Sequence, residues 1–159
     1  MERIDEGKSG VIYSMSLDVV MKVPRKHGGI TEQKRIHRIC NELLRTSPIP
    51  FYILRIPTLI DPDSTIYTME RVDTSRPIFL ALEPSPTPLL ITELTRAWLL
   101  FWNRAGFAAY DFELYIQPDG TVVLLDFDSF VFWQRGNDLP PPNFFHHPSF
   151  PQDFRKRLC

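Results

Sequence analysis

Long hydrophobic runs are missing from this sequence: no stretch approaches the roughly eighteen uninterrupted apolar residues that a membrane-spanning helix needs, so no membrane partner is expected. Cysteine is scarce. Cys40 lies inside a helical-looking run and Cys159 at the C-terminus, and no apolar signal segment precedes the fold, which leads to the expectation of a reducing, intracellular (cytoplasmic) setting. A tetrahedral zinc site would need four suitable ligands, whereas His146 and His147 are adjacent and lack the spacing of a finger. An excess of one charge is missing too: 18 basic side chains against 19 acidic ones create no field that would draw in nucleic acid or anionic lipid. At 159 residues the chain is also too short for two sizeable domains, so every site must share one core.

What is present is material for a packed interior, with 43% hydrophobic and 13% aromatic residues. Residues 2 to 24 read as hairpin strands, with Gly7 and Gly10 bracketing a turn and Pro24 stopping the run Val19, Val20, Met21, Val23. From Thr31 to Leu44 the apolar positions Ile36, Ile39, Cys40, Leu43 and Leu44 have helical spacing, and Pro48 and Pro50 end that helix. Residues 51 to 60 and 65 to 72 look like two more strands around the turn Asp61-Pro62-Asp63-Ser64. The stretch 73 to 88 is rich in proline and small polar residues and reads as a linker. A second, more deeply buried helix is expected over 89 to 105, with Gly106 as its stop. Strands at 113 to 116 and 121 to 126 follow, joined by the turn Gln117-Pro118-Asp119-Gly120. The proline-rich, aromatic tail from Gly136 excludes a long helix and reads as an irregular strap.

The chemistry-bearing residues are spread along this order. Glu6-Gly7-Lys8-Ser9-Gly10-Val11 offers a glycine turn whose backbone amides can approach phosphates. Lys22 stands alone among apolar strand residues, and Glu32 opens the first helix as its candidate partner. Val122-Val123-Leu124-Leu125-Asp126-Phe127-Asp128 is an apolar strand that delivers two carboxylates around an aromatic, with Asp126 at its end. On a strand, side chains at 111 and 113 share a face, so Asp111, Glu113 and Asp126 form one candidate acidic cluster.

Strand, glycine turn, lysine strand, glutamate helix, two strands, linker, helix and acidic hairpin is an order that resembles the protein-kinase fold. The resemblance implies an α+β, minimal kinase-like fold over residues 1–159: an antiparallel N-terminal sheet with one helix (1–72), a linker (73–88), a strongly reduced C-terminal lobe (89–135) and a tail (136–159). It implies ATP and magnesium as ligands, with Gly7 and Gly10 as loop glycines and Asp5 where the first glycine is usual. Lys22 and Glu32 become the phosphate-contacting pair, Met69 the lid behind the base, and the backbone from Glu70 to Val72 the hinge. Counting back from Asp126 places Glu113 where the second metal ligand stands, in place of asparagine, and Ala108 where the catalytic aspartate stands; Asp111 is the nearby acid able to substitute. Asp111-Phe112-Glu113, Leu124-Leu125-Asp126-Phe127-Asp128 and Asn137-Asp138-Leu139-Pro140-Pro141-Pro142 are further similar to a fungal kinase-like family of unknown function, often labelled zinc-finger proteins.

Three functional expectations follow. The first is a pseudokinase or regulatory nucleotide-binding module without the usual base. The second is an active ATP-dependent phosphotransferase, with Asp111 as base and Glu113 and Asp126 holding magnesium. The third is a ligand-free interaction protein whose tail residues Phe144, Phe145, His146, His147 and Phe150 dock to a protein partner.

Overall fold

The computed structural model of the chain describes residues 2–6, 10–24, 29–78, 88–109, 112–125, 127 and 130–132. The N-terminal hairpin residues form β1 (Glu2–Glu6), β2 (Gly10–Ser14) and β3 (Val19–Pro24), each pairing antiparallel with the next. Helix α1 (Gly29–Arg45) packs against β3 through a face in which Gln33, Ile36, His37, Cys40 and Leu44 are buried, the i, i+3, i+4, i+7 spacing of an amphipathic helix. Short strands β4 (Leu54–Arg55), β5 (Leu59–Ile60) and β6 (Tyr67–Glu70) follow. β6 and β5 complete a five-stranded antiparallel sheet in the order β1-β2-β3-β6-β5.

Helix α2 (Pro88–Leu100) opens on a proline, whose missing N–H costs nothing in a first helical turn. A single π-helical turn (Phe101–Ala105) extends it to Gly106, whose φ of 72° closes the end and whose N–H donates to the Trp102 carbonyl at 3.1 Å. β7 (Phe107–Ala109), β8 (Glu113–Ile116), β9 (Val122–Leu125) and β10 (Phe130–Phe132) complete the chain order. β8 and β9 form the expected hairpin, while β7 pairs with β10, a pairing that no periodicity in two three-residue segments announces. The architecture is α+β, with two α-helices among the described residues. None of those helices is long and apolar enough to cross a membrane. The tail from 136 onward lies outside the described residues.

One strand departs from its expected place. β4 does not join the first sheet; it pairs parallel with β9, Leu54 opposite Val122 and Arg55 opposite Val123. The larger core gathers there, with Trp98, Phe101, Leu54, Leu94, Leu114, Leu124 and Phe127 each at 2% exposure or less. α2 grips the approach to β4. Glu93, 1% exposed, accepts the backbone N–H groups of Tyr52, Ile53 and Leu54, each at 2.8 Å. Arg96 donates to the carbonyls of Ile49 and Pro50 and stacks over the Phe51 ring at 4.1 Å.

A buried carboxylate is tolerated only where hydrogen bonds replace its water, and three convergent amides do so here. Glu93→Ala strands those donors and is expected to cost about 3 kcal/mol or more. Glu93→Gln is nearly as damaging, because its NH₂ opposes an N–H. Urea unfolding monitored by tryptophan fluorescence measures both.

Candidate functional site

Cross-strand register in the first sheet sets the side chains of one face in rows. Ile12 stands opposite Lys22 and Lys22 opposite Tyr67, while Val20 stands opposite Met69. Alternation places these residues on one side of the sheet, where they line a cleft of about 450 Å³ together with Ile4 and Gly10. The second sheet supplies the other wall. Glu113 and Tyr115, two apart on β8, line the cleft with Leu125 and Phe127. The third wall is the backbone from Glu70 to Ser75 as it passes between the sheets.

That connecting segment is held from three sides. Glu70 directs its carboxylate away from any ligand role: Oε1 accepts Arg55 at 2.6 Å and the Thr58 N–H at 2.9 Å. Arg71 donates to the Ser14 hydroxyl at the end of β2 and, at 2.8 Å, to the Ser16 carbonyl in the turn that follows. Buried Gln117 clamps Asp73 reciprocally, accepting its N–H at 2.9 Å and donating to its carbonyl at 2.8 Å. Residues 76–78 then run beside β8, Ile116 N–H donating to Arg76 O and Ile78 N–H to Leu114 O, each at 2.9 Å. Asp73 is held below the usual carboxylate range by the Ser75 hydroxyl and N–H it accepts.

Of the residues singled out in the sequence, Gly10, Lys22, Met69, Glu70, Val72 and Glu113 line this one cleft. Lys22 is 7% exposed. Gly10 is required by packing: a Cβ there would stand 2.4 Å from the Val23 carbonyl oxygen, too close for any side chain. Glu113 is exposed and accepts the Tyr115 hydroxyl at 2.9 Å. Gly7, Asp111 and Asp126 lie outside the described residues. Among the described residues no group of three or more His, Cys, Asp or Glu side chains gathers as a metal cage.

Glu32 is not brought to Lys22, and that expectation is corrected. Its two oxygens take Arg35, one turn along, at 2.7 and 3.2 Å, and this pairing holds its carboxyl below the usual range against the opposing effect of burial. The reason is helical phase. The buried face of α1 begins at Gln33, one residue later and about 100° around the helix. Gln33 is 5% exposed and its Oε1 has no hydrogen-bond partner. The signal was available in the sequence, since Gln33 is three residues before Ile36 and seven before Cys40. Ala108, the position reached by counting back from Asp126, falls inside β7 opposite Val131, not in a loop; the connection from β7 to β8 is residues 110–112.

Behind the cleft sits His37, fully buried. Its Nε2–H donates to the Pro57 carbonyl at 2.6 Å, which leaves Nδ1 to accept the Tyr67 hydroxyl at 2.7 Å. Phe127 stacks on the same ring at 4.6 Å between centroids. Both partners line the cleft, so this imidazole fixes two of its walls. Burial lowers the His37 pKa to about 4, the Pro57 bond opposes this, and the charge of Lys22 adds to the lowering.

Comparison of the chain with protein-family models and with curated proteins returned no match.

The neutral imidazole has a consequence for stability. Its folded pKa of about 4 lies below the ordinary 6.5, so the unfolded chain binds the proton more tightly. The contribution is therefore fully present above pH 6.5 and is lost as pH falls toward 4, up to about 3 kcal/mol. His37→Leu is expected to lower stability at neutral pH yet flatten its slope between pH 6.5 and 4. Unfolding midpoints across that range measure the slope.

Proposed function

We propose that this chain is a kinase-like nucleotide-binding domain that takes ATP with magnesium and acts as a pseudokinase or regulatory module. The observation that carries the reading is the form of the cleft. Ile4, Ile12 and Val20 from one sheet and Tyr115 and Leu125 from the other make two apolar walls around a slot that leads to Lys22 and Glu113. A flat heteroaromatic base fills such a slot, with Tyr115 on one of its walls. The backbone from Glu70 to Val72 supplies the edge polar groups, since the Glu70 side chain is already committed to Arg55 and Thr58. Lys22 supplies a compact cation for phosphate oxygens.

The element order supports the same reading: a turn between β1 and β2, a lysine on β3, a helix packed on that strand, β6 running into the connecting segment, and the β8–β9 hairpin. In this reading Gln33, not Glu32, is the α1 residue turned toward the strand of Lys22. Glu113 offers magnesium a hard oxygen donor, and Asp126, one residue beyond β9, is the second candidate. Bound magnesium would neutralise phosphate charge.

A second reading, an active phosphotransferase, gains from one observation. Since Ala108 lies within β7, the counting that put alanine in the place of the base does not apply, and Asp111 belongs to the short connection before β8.

ATP with magnesium at about a hundred times its Kd is expected to stabilise the chain by about 2.7 kcal/mol, read as a rise in melting temperature. Lys22→Ala and Tyr115→Ala each diminish that rise, while Glu32→Ala leaves it within error. Retention of the full rise in both cleft variants, or no rise in the parent chain, overturns the reading. Phosphate release by the parent chain that disappears in Asp111→Asn would replace the pseudokinase with the phosphotransferase.

A further inference from the structure

A second pocket, of about 210 Å³, lies between α1 and the turn that joins β5 to β6. It shares no lining residue with the cleft. Three cations line it, Lys34, Arg35 and Arg38, and no carboxylate does. Glu32 pairs with Arg35 from outside the lining, and among the described residues Lys34 and Arg38 have no carboxylate partner. Asp61 and Asp63 flank Pro62 in the adjoining turn but neither lines the pocket.

Lys34 is the informative residue. It is 7% exposed, and its ammonium donates to the Ser64 carbonyl at 2.5 Å and the Ile66 carbonyl at 2.8 Å. An ammonium has three N–H groups, and among the described residues two of them find acceptors. A buried cation satisfied only by neutral carbonyls keeps its whole charge, which is costly without a counter-anion. Arg38 is exposed, has no ion pair among the described residues, and presents a planar fork to the same space. The hydroxyls of Thr31, Ser64 and Thr65 add donors at the wall, and Ile30, Leu59 and Pro62 make the remainder apolar.

We propose that this pocket is a binding site for a phosphate monoester carried on an apolar group. A dianionic phosphate matches those two cations and uses the ammonium, a guanidinium fork and hydroxyl donors together. A carboxylate has one charge and two oxygens and leaves part of that set unused. The apolar wall selects the ester over free phosphate. The two sites are neighbours through the first sheet, where Leu59 of the pocket stands opposite Met69 of the cleft.

The test uses the full chain and three probes: phenyl phosphate, inorganic phosphate and benzoate, each titrated by calorimetry and by amide NMR. Phenyl phosphate is expected to bind saturably and more tightly than either other probe, perturbing amides in 30–38 and 59–65. Arg38→Ala, a surface change that spares the fold, is expected to weaken it about tenfold. Lys34→Met is expected to abolish it, with circular dichroism checking the fold. A phosphoserine peptide with a flanking leucine that binds more tightly than phenyl phosphate assigns the site to a phosphorylated chain, and the reverse order to a small ester; either sustains the site. The proposal is overturned if phenyl phosphate does not saturate, if Arg38→Ala leaves its affinity unchanged, or if Lys22→Ala removes binding, since that would place the ester in the cleft.

Discussion

The arrangement of the cleft rests on one buried carboxylate. Glu93 is the single acidic residue on the inward face of α2, and it spends its two oxygens on three successive amides of the segment entering β4. Without that anchor the two-residue strand Leu54–Arg55 would have little to fix it, because so short a strand makes few ladder bonds of its own. Yet β4 is the strand against which β9 lies, and β9 carries Leu125 and leads to Phe127 at the cleft wall. Arg55, the second residue of β4, also holds Glu70 where the chain leaves the first sheet. One helix-borne anion therefore sets the position of the lower wall relative to the upper one.

A second constraint works from the opposite side. His37 is satisfied only as a neutral imidazole, with one nitrogen donating to Pro57 and the other accepting from Tyr67, and it stacks on Phe127. Tyr67 belongs to the first sheet and Phe127 follows β9, so the ring couples both walls to α1. The neighbouring positive charge of Lys22 reinforces neutrality. Polar groups buried in this way are fully paired, which rigidifies the back of the cleft, whereas Gln33, one turn earlier on the helix, keeps an acceptor unused.

Much of the cleft was legible because strand chemistry has period two. Lys22 among apolar neighbours, Met69 and Val72 at the end of a strand, and Glu113 opening a hairpin all reach the same cavity, and alternation alone brings Ile12 and Val20 to them. Helix period was read less well. The acid Glu32 carries the charge, yet the residue in phase with Ile36 and Cys40 is Gln33, and only its spacing marks it. Glu93 was equally visible in retrospect: an acid surrounded by Leu90, Ile91, Leu94 and Ala97 in an apolar helix has to find donors. Which sheet β4 would join was not legible, since two residues carry no register and parallel partners lie far apart in sequence.

Spacing carried from one fold to another is the weakest of these inferences, and Ala108 shows why. An interval between two functional residues is conserved only while the elements between them keep their lengths. Here β7 and β8 are joined by residues 110–112 alone, so the count from Asp126 overshoots the connection and ends within β7. The same count reaches Glu113, which lines the cleft, across a β8–β9 hairpin that is regular, with Glu113 opposite Leu125 and Ile116 opposite Val122. Register survives inside a hairpin and fails across a shortened loop. The absence of a carboxylate at 108 is thus a statement about a strand.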